Sequence, residues 1–352
     1  MFEMFKAPPT SASYEVVLEH LDENLKTETP LAFGLHPNAE IGFRTHTSEE
    51  LLRSVLELSA NSLLTSSPTE GASEGEGRDA QAVAEALIQD ILEQTRDVKF
   101  DLEAVAASMD DVGPFQNVVL QECERMNILI QEIVRSLIEL DLGFKGDLTV
   151  SDQMEELAYS LYMDRVPKAW ASLAYPSMRA LGAWLVDLQN RISQLGEWSS
   201  SPQEVPTVTW LPGLFNPQSF LTAIMQITAQ AQNLELDKLS LVTDLTKKLN
   251  AEDFTSAAKE GAYIHGLFLE GGSFNLNQGV LESARPREMF SALPVINIRP
   301  VIMDRIESGV FSCPVYKTQQ RGPTYVFSMQ LRSKYDPGKW VLAGVVAIME
   351  VL

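Results

Sequence analysis

Apolar positions in this sequence switch period once. Up to about residue 198 they recur every three or four residues; from about 207, apart from one helix-spaced stretch at 220–227, they alternate, or run in short blocks bounded by turn residues. Those are the marks of helices followed by strands. The clearest repeat is Val119, Cys123, Met126, Ile130, Ile133, Leu137 and Leu140. Its alternating steps of four and three predict a long helix lying against another, as a coiled coil or inside a bundle. Leu120, Leu129 and Val134 widen the stripe and favour a bundle. A second stripe, from Leu181 and Trp184 through Leu185, Leu188, Ile192 and Leu195 to Trp198, supplies a matching helix. Met154, Leu157 and Leu161 mark a shorter helix ending near Val166 and Pro167, and Val83, Ala86, Leu87, Ile91 and Leu92 extend the helical spacing back to residue 80.

Ahead of this region, residues 14–26 predict a short helix with Val16, Val17, Leu18 and Leu21 on its apolar side. The stretch LAFGLHPNAEIGF at 31–43 reads as a loop. Gly34 permits positive φ, Pro37 biases His36 away from the helical region, and Asn38 suits a turn. Its apolar flanks, Phe33, Leu35, Ile41 and Phe43, suit a loop that packs against something. Thr47 and Glu50 have capping-box spacing and predict the start of a helix carrying Leu51, Leu52, Val55, Leu56 and Leu58. The Ser-, Gly- and Glu-rich run at 66–79 predicts a flexible surface insertion, with a phosphorylated regulatory loop as the functional alternative.

After SSSPQEVP at 199–206, TVTWL is strand-like, and Asn216-Pro217 offers an N-cap with proline at the first helical position, before Phe220, Leu221, Ile224, Met225 and Ile227. Strand-like runs follow at 239–242, 262–269, 294–298 and 323–331, ending with WVLAGVVAIMEVL at 340–352. Tyr325, Phe327, Met329 and Leu331 alternate with smaller or polar residues, as in a half-buried strand. Asp336-Pro337-Gly338 reads as a turn. The expected fold class is α+β, helices first and then a small antiparallel β-barrel or sandwich. The expected organisation is a small helical unit over 1–65, the insertion at 66–79, a helical bundle over 80–206 and a β-region with one helix over 207–352.

Composition narrows the function. The 352 residues are 45% hydrophobic, enough for a sizeable core, and carry a net charge of -21. Such a surface repels nucleic acid and anionic membrane. No signal peptide is read at the N-terminus, and Glu350 interrupts the longest apolar run, which is too short to span a bilayer. Two cysteines, Cys123 and Cys313, are too few for a disulfide scaffold, so a soluble protein in a reducing compartment is expected. There is no G-x-x-x-x-G-K-[ST] phosphate loop; GFKGDLT at 143–149 has the wrong spacing and reads as a helix C-cap and turn. C-x-x-C and H-E-x-x-H are also missing. His36 and His46, with Glu40 between them, sketch a metal site, although a turn histidine and a solvated one are the simpler reading. His265 sits in the strand-like AYIHGLFL and reads as a packed residue, as does Cys313 beside Pro314. No catalytic, cofactor or metal residue is therefore assigned.

Several segments are nevertheless specific. FGLHPNAEIGF at 33–43, QECERMNILIQEI at 121–133, FNPQSFLTAIMQ at 215–226, EGAYIHGLFLEG at 260–271, CPVYKT with RGPTYV at 313–326, and the closing KWVLAGVVAIMEV occur in that order. Together they resemble the C-terminal end of a dynein heavy chain, over essentially the whole length. GLHPNAEIGF with QECERMNIL is most similar to the axonemal outer-arm β class. The resemblance implies the end of a sixth AAA+ module, which in this family does not hydrolyse nucleotide, followed by a helical part and a β-barrel. It implies ATP and Mg bound upstream in the parent motor, with no cofactor in this chain. The implied partners are the upstream ring modules and other dynein-complex chains, with microtubules reached only through a stalk outside this segment, in a ciliary or flagellar axoneme. Phe274 stands where the family often has tryptophan, and Pro212 where it often has a small polar residue. The start at Met1 would fall inside the sixth module, leaving the opening loop without its packing partner. Two functions are expected from this: a non-catalytic segment closing and bracing the motor ring, or a freestanding scaffold derived from it that acts by protein–protein binding.

Overall fold

A computed structural model describes residues 13–24, 36–65, 74–302 and 310–351. Helices come first: α1 (Tyr14–Asn24), α2 (Pro37–Thr65), α3 (Glu74–Thr95), α4 (Leu102–Ala107), α5 (Pro114–Lys145), α6 (Asp152–Tyr162), α7 (Lys168–Leu173) and α8 (Leu181–Ser200). Then follow β1 (Val208–Trp210), α9 (Pro217–Gln232), β2 (Leu239–Leu245), β3 (Ala262–His265), β4 (Phe268–Glu270), β5 (Gly272–Asn275) and β6 (Val280–Ser283). The last elements are β7 (Phe290–Ala292), β8 (Ile296–Ile302), β9 (Phe311–Tyr316), β10 (Tyr325–Leu331), α10 (Pro337–Leu342) and β11 (Val346–Ile348). The order is the expected α+β one.

Helix α5 is the axis of the molecule. Pro114 opens it at a position where its missing N–H costs nothing, and Gly146, at φ 78, closes it. Its 32 residues run about 48 Å at the usual helical rise. Every member of the predicted seam is at most 3% exposed. The seam faces several helices rather than one coiled-coil partner: α3, α6, α7 and α8 pack on α5. Met126, Ile130, Ile133, Leu137 and Leu140 join Ile88, Ile91, Leu157, Trp170, Trp184 and Leu188 in the bundle core. The α5 residues nearer its start, Phe115, Val118, Val119 and Cys123, belong instead to the core of the β-region, with Phe220, Ile264, Ile298, Val315 and Met329.

The β-region holds a four-stranded sheet in the order β1-β3-β8-β2, a five-stranded sheet in the order β10-β9-β11-β4-β7, and the β5-β6 hairpin. Most pairings are antiparallel, but β1 with β3 and β11 with β9 are parallel. The sheets form a sandwich and do not close into a barrel. Where the edges β2 and β10 meet, side chains stand in for a backbone ladder: Gln330 N donates to Thr243 Oγ1 at 2.9 Å and Thr243 N donates to Gln330 Oε1 at 3.2 Å. In β10 a register shift between Tyr325 and Phe327 leaves Tyr325 exposed and Val326 buried, so the simple alternation expected there is broken by a bulge.

Several local expectations change. The turn expected at Pro37-Asn38 is the first turn of α2; residues 31–35 of that loop lie outside the described residues. There is no capping box at Thr47 and Glu50, because the helix begins ten residues earlier and Thr47 Oγ1 donates to the Phe43 carbonyl at 2.8 Å. Pro37 pre-sets the helical φ, and that outweighs a capping pattern met in mid-helix. Of the expected insertion, residues 66–73 lie outside the described residues, while 74–79 already belong to α3. The C-terminal apolar run is not one strand. Asp336, whose carboxylate accepts from Gly338 N, starts α10; Gly344 at φ 68 ends that turn, and only Val346–Ile348 is strand. AYIHGLFL is likewise divided at Gly266, where φ is 93 and a Cβ would lie 2.5 Å from Trp210 Cδ1.

Candidate functional site: a buried ionic junction

Charged groups on otherwise apolar helix stripes converge where the bundle meets the sandwich. Glu122 lies three residues after Val119 on α5, so it faces the same way as the seam. It is 1% exposed. Its Oε2 accepts from Phe215 N at 2.5 Å and its Oε1 from Asn216 N at 2.9 Å. Asn216 caps α9, and Lys317, just beyond β9, donates from Nζ to the Phe215 carbonyl at 2.9 Å. One carboxylate and one ammonium thus grip the backbone at 215–216, fixing the start of α9 against α5.

Helix α8 supplies the second half. Asp187 and Arg191, at i,i+4, pair at 2.7 Å, and Arg179 reaches the other oxygen of Asp187 at 2.6 Å. The Arg191 guanidinium lies 3.3 Å over the Tyr175 ring and 5.4 Å from that of Trp210, which links α8 to β1. Glu350, near the C-terminus, accepts from Ser177 Oγ and, at 2.8 Å, from Met178 N. Three acids, Glu122, Asp187 and Glu350, face three bases, Arg179, Arg191 and Lys317.

Burial is the main force on the titrating groups. It raises Glu122 and Glu350 above the usual carboxylate value, against the opposing pull of their hydrogen bonds and neighbouring arginines. It lowers Lys317, with Glu122 pulling the other way. Both oxygens of each acid already accept a hydrogen bond from a protein group. Such a set is built to hold elements together; it presents no nucleophile beside a free base.

The residues singled out in the sequence lie elsewhere. His36 precedes α2, and its Nδ1 accepts from Asn38 N at 3.1 Å. His46, ten residues on along that helix and so about 15 Å away, pairs with Glu50 at 3.3 Å on the exposed face. Glu40 pairs with Arg44 at 2.7 Å. His36, Glu40 and His46 do not converge, and among the described residues no cluster of three His, Cys, Asp or Glu side chains is placed to hold a metal ion. His265, in β3, is partly buried, and burial lowers its pKa. Cys123 and Cys313 are unpaired and buried in the sandwich-side core, and burial pushes both thiols up to about 12, so neither is a ready nucleophile. A cleft of about 700 Å³ between β2, β8 and the β5-β6 hairpin has a mixed lining that includes the Arg299–Asp244 pair at 2.6 Å.

Sequence reasoning missed Glu122, Asp187, Arg191 and Lys317. A signal was available for three of them: Glu122 follows Val119 by three residues, Asp187 follows Trp184 by three, and Arg191 follows Leu188 by three, so each is a charge inside an apolar stripe. Segments that carried the resemblance deliver Glu122, the 215–216 backbone, Lys317 and Glu350 to this one junction.

A helical bundle locked to a β-sandwich through buried charge is thus the architecture, and its relatives identify the family. A family model described as the C-terminal domain of the dynein heavy chain matches residues 45–349. The protein is 45% identical over 97% of its length to dynein axonemal heavy chain 9 of Homo sapiens. It is 44% identical over 100% of its length to the flagellar outer-arm dynein beta chain of Chlamydomonas reinhardtii, and 42% identical over 99% to the ciliary dynein beta chain of Tripneustes gratilla. The chain belongs to the dynein heavy chain family, in its C-terminal domain. It spans only 7% of the first of these relatives and 8% of the other two.

Proposed function

We propose that this protein is the non-catalytic C-terminal segment of an axonemal dynein, bracing the end of an ATP-driven AAA+ ring in ciliary or flagellar movement. The family match over residues 45–349 carries the reading. The ionic junction supports it: both oxygens of each of its acids are taken up by backbone, serine or arginine donors, as suits a part that transmits load and leaves turnover to modules upstream. The N-terminal helices add support. Tyr14 is 77% exposed, Leu51 67% and Leu52 63%, more apolar surface than a self-contained domain usually leaves uncovered. The other partners in this reading are the remaining chains of the dynein complex, and ATP and Mg belong to the upstream modules.

The test is an immunoblot of native ciliary extract with an antibody against residues 115–145, the body of α5. A band far larger than 39.0 kDa is expected, and a band only at 39.0 kDa would overturn the reading. The purified protein should show no nucleotide-stimulated ATP hydrolysis and no co-sedimentation with microtubules at physiological salt.

A further inference from the structure

Helix α2 meets the rest of the described molecule in its first two turns; from Phe43 to Val55 every residue is exposed. At the first turn sits Asn38, 5% exposed. Its Nδ2 donates to the carbonyls of Arg285 at 2.8 Å and Glu288 at 2.7 Å, and its Oδ1 accepts from Arg287 N at 2.8 Å. All three partners belong to one tight turn between β6 and β7, closed by Glu288 N donating to Arg285 O at 3.1 Å, with Arg287 at φ 70. One turn further along α2, Gly42 lies so close to Met289 that a Cβ would sit 3.1 Å from its Cε.

The pattern is specific to a carboxamide. Two carbonyls and one N–H, presented by backbone, require two donor protons and one acceptor on a short planar group. Asparagine has them. Aspartate is the same size but offers no proton to either carbonyl, and alanine offers nothing.

We propose that Asn38 latches α2 onto the 285–288 turn of the sandwich. The helix and the sandwich then move as one body, and a displacement delivered to α2 reaches the sandwich without passing through the bundle. That a displacement is delivered there rests on the motor reading above; the latch itself rests on the contacts alone.

Hydrogen exchange on the 352-residue protein tests it with Asn38→Asp and Asn38→Ala. In both variants the Arg287 amide should exchange about tenfold faster or more, since it loses its acceptor or the geometry that held it, while α5 and β8 stay protected. Unchanged exchange at Arg287 in both variants would overturn the latch. A distance measurement adds an arm in which Asn38 is left in place. Nitroxides at Glu49→Cys on α2 and Glu252→Cys on the sandwich can be placed selectively, because Cys123 and Cys313 are buried. With Asn38 present, electron–electron distances should form one narrow distribution, broadened by Asn38→Asp. A broad distribution with Asn38 present, or one left narrow by Asn38→Asp, overturns the proposal. A protein that passes both tests but occurs only as a 39.0 kDa species would keep the latch and lose the motor reading.

Discussion

Glu122 shows how one residue can matter to two halves of a protein. Its carboxylate is removed from water, a cost that hydrogen bonding and nearby arginines offset, and both its bonds go to the backbone that starts α9. Glu122→Gln keeps the size but gives one of those N–H groups a donor in place of an acceptor. Chemical denaturation should show a loss of about 1–3 kcal/mol. The pH dependence follows from the raised carboxyl. The folded protein holds the proton more tightly than the unfolded state, whose value is near 4.5. The contribution linked to this proton is therefore full below about 4.5 and is lost as pH rises through the folded-state value. The cost of Glu122→Gln should shrink over that same window. A cost that grows with pH would mean that the carboxylate, and not the acid, is the favoured buried form.

At the scale of elements, α5 is the part the sequence announced most clearly. Its alternating steps of four and three left one face apolar, and that face is buried as predicted. Ile133→Ala or Leu137→Ala should cost about 2–5 kcal/mol through lost burial and a cavity. Ile138, on the same helix but 37% exposed, should lose far less on truncation to alanine. Equal costs at 133 and 138 would place the seam outside the core. The C-terminal run was harder to read. Apolar runs of this length fit a strand or a buried helix equally well, and it was the Asp336 cap and Gly344 that divided it between α10 and β11. Likewise α3 buries Ala84, Ile88 and Ile91 and leaves Val83 48% exposed. Only the position of α5 decides which of two adjacent helical faces turns inward.

For the whole molecule, α5 is shared: its first turns lie in the sandwich core and its middle in the bundle core. The ionic junction adds a second tie between the two. Bundle and sandwich should therefore unfold together. The two thiols make this measurable, since both are unpaired and buried. In rising denaturant, Cys123 and Cys313 should become reactive over the same range in which far-UV circular dichroism reports loss of helix. Reaction of Cys313 well before helix is lost would show a sandwich that opens by itself.

The sequence by itself determined the order of helices and strands, the buried face of α5, the α9 cap at Asn216-Pro217 and the family, because each rests on spacing or wording within a short stretch of residues. Tertiary structure decided the rest. A charge on an apolar stripe cannot be told from an error of phase until its partner is known, and the partners of Glu122 lie 93 and 94 residues away. Asn38 read as a turn former because its neighbours favour turns, yet its hydrogen bonds run to residues 247 to 250 positions downstream. Local physics sets which elements form. Only the meeting of distant segments sets which polar groups are left to join them.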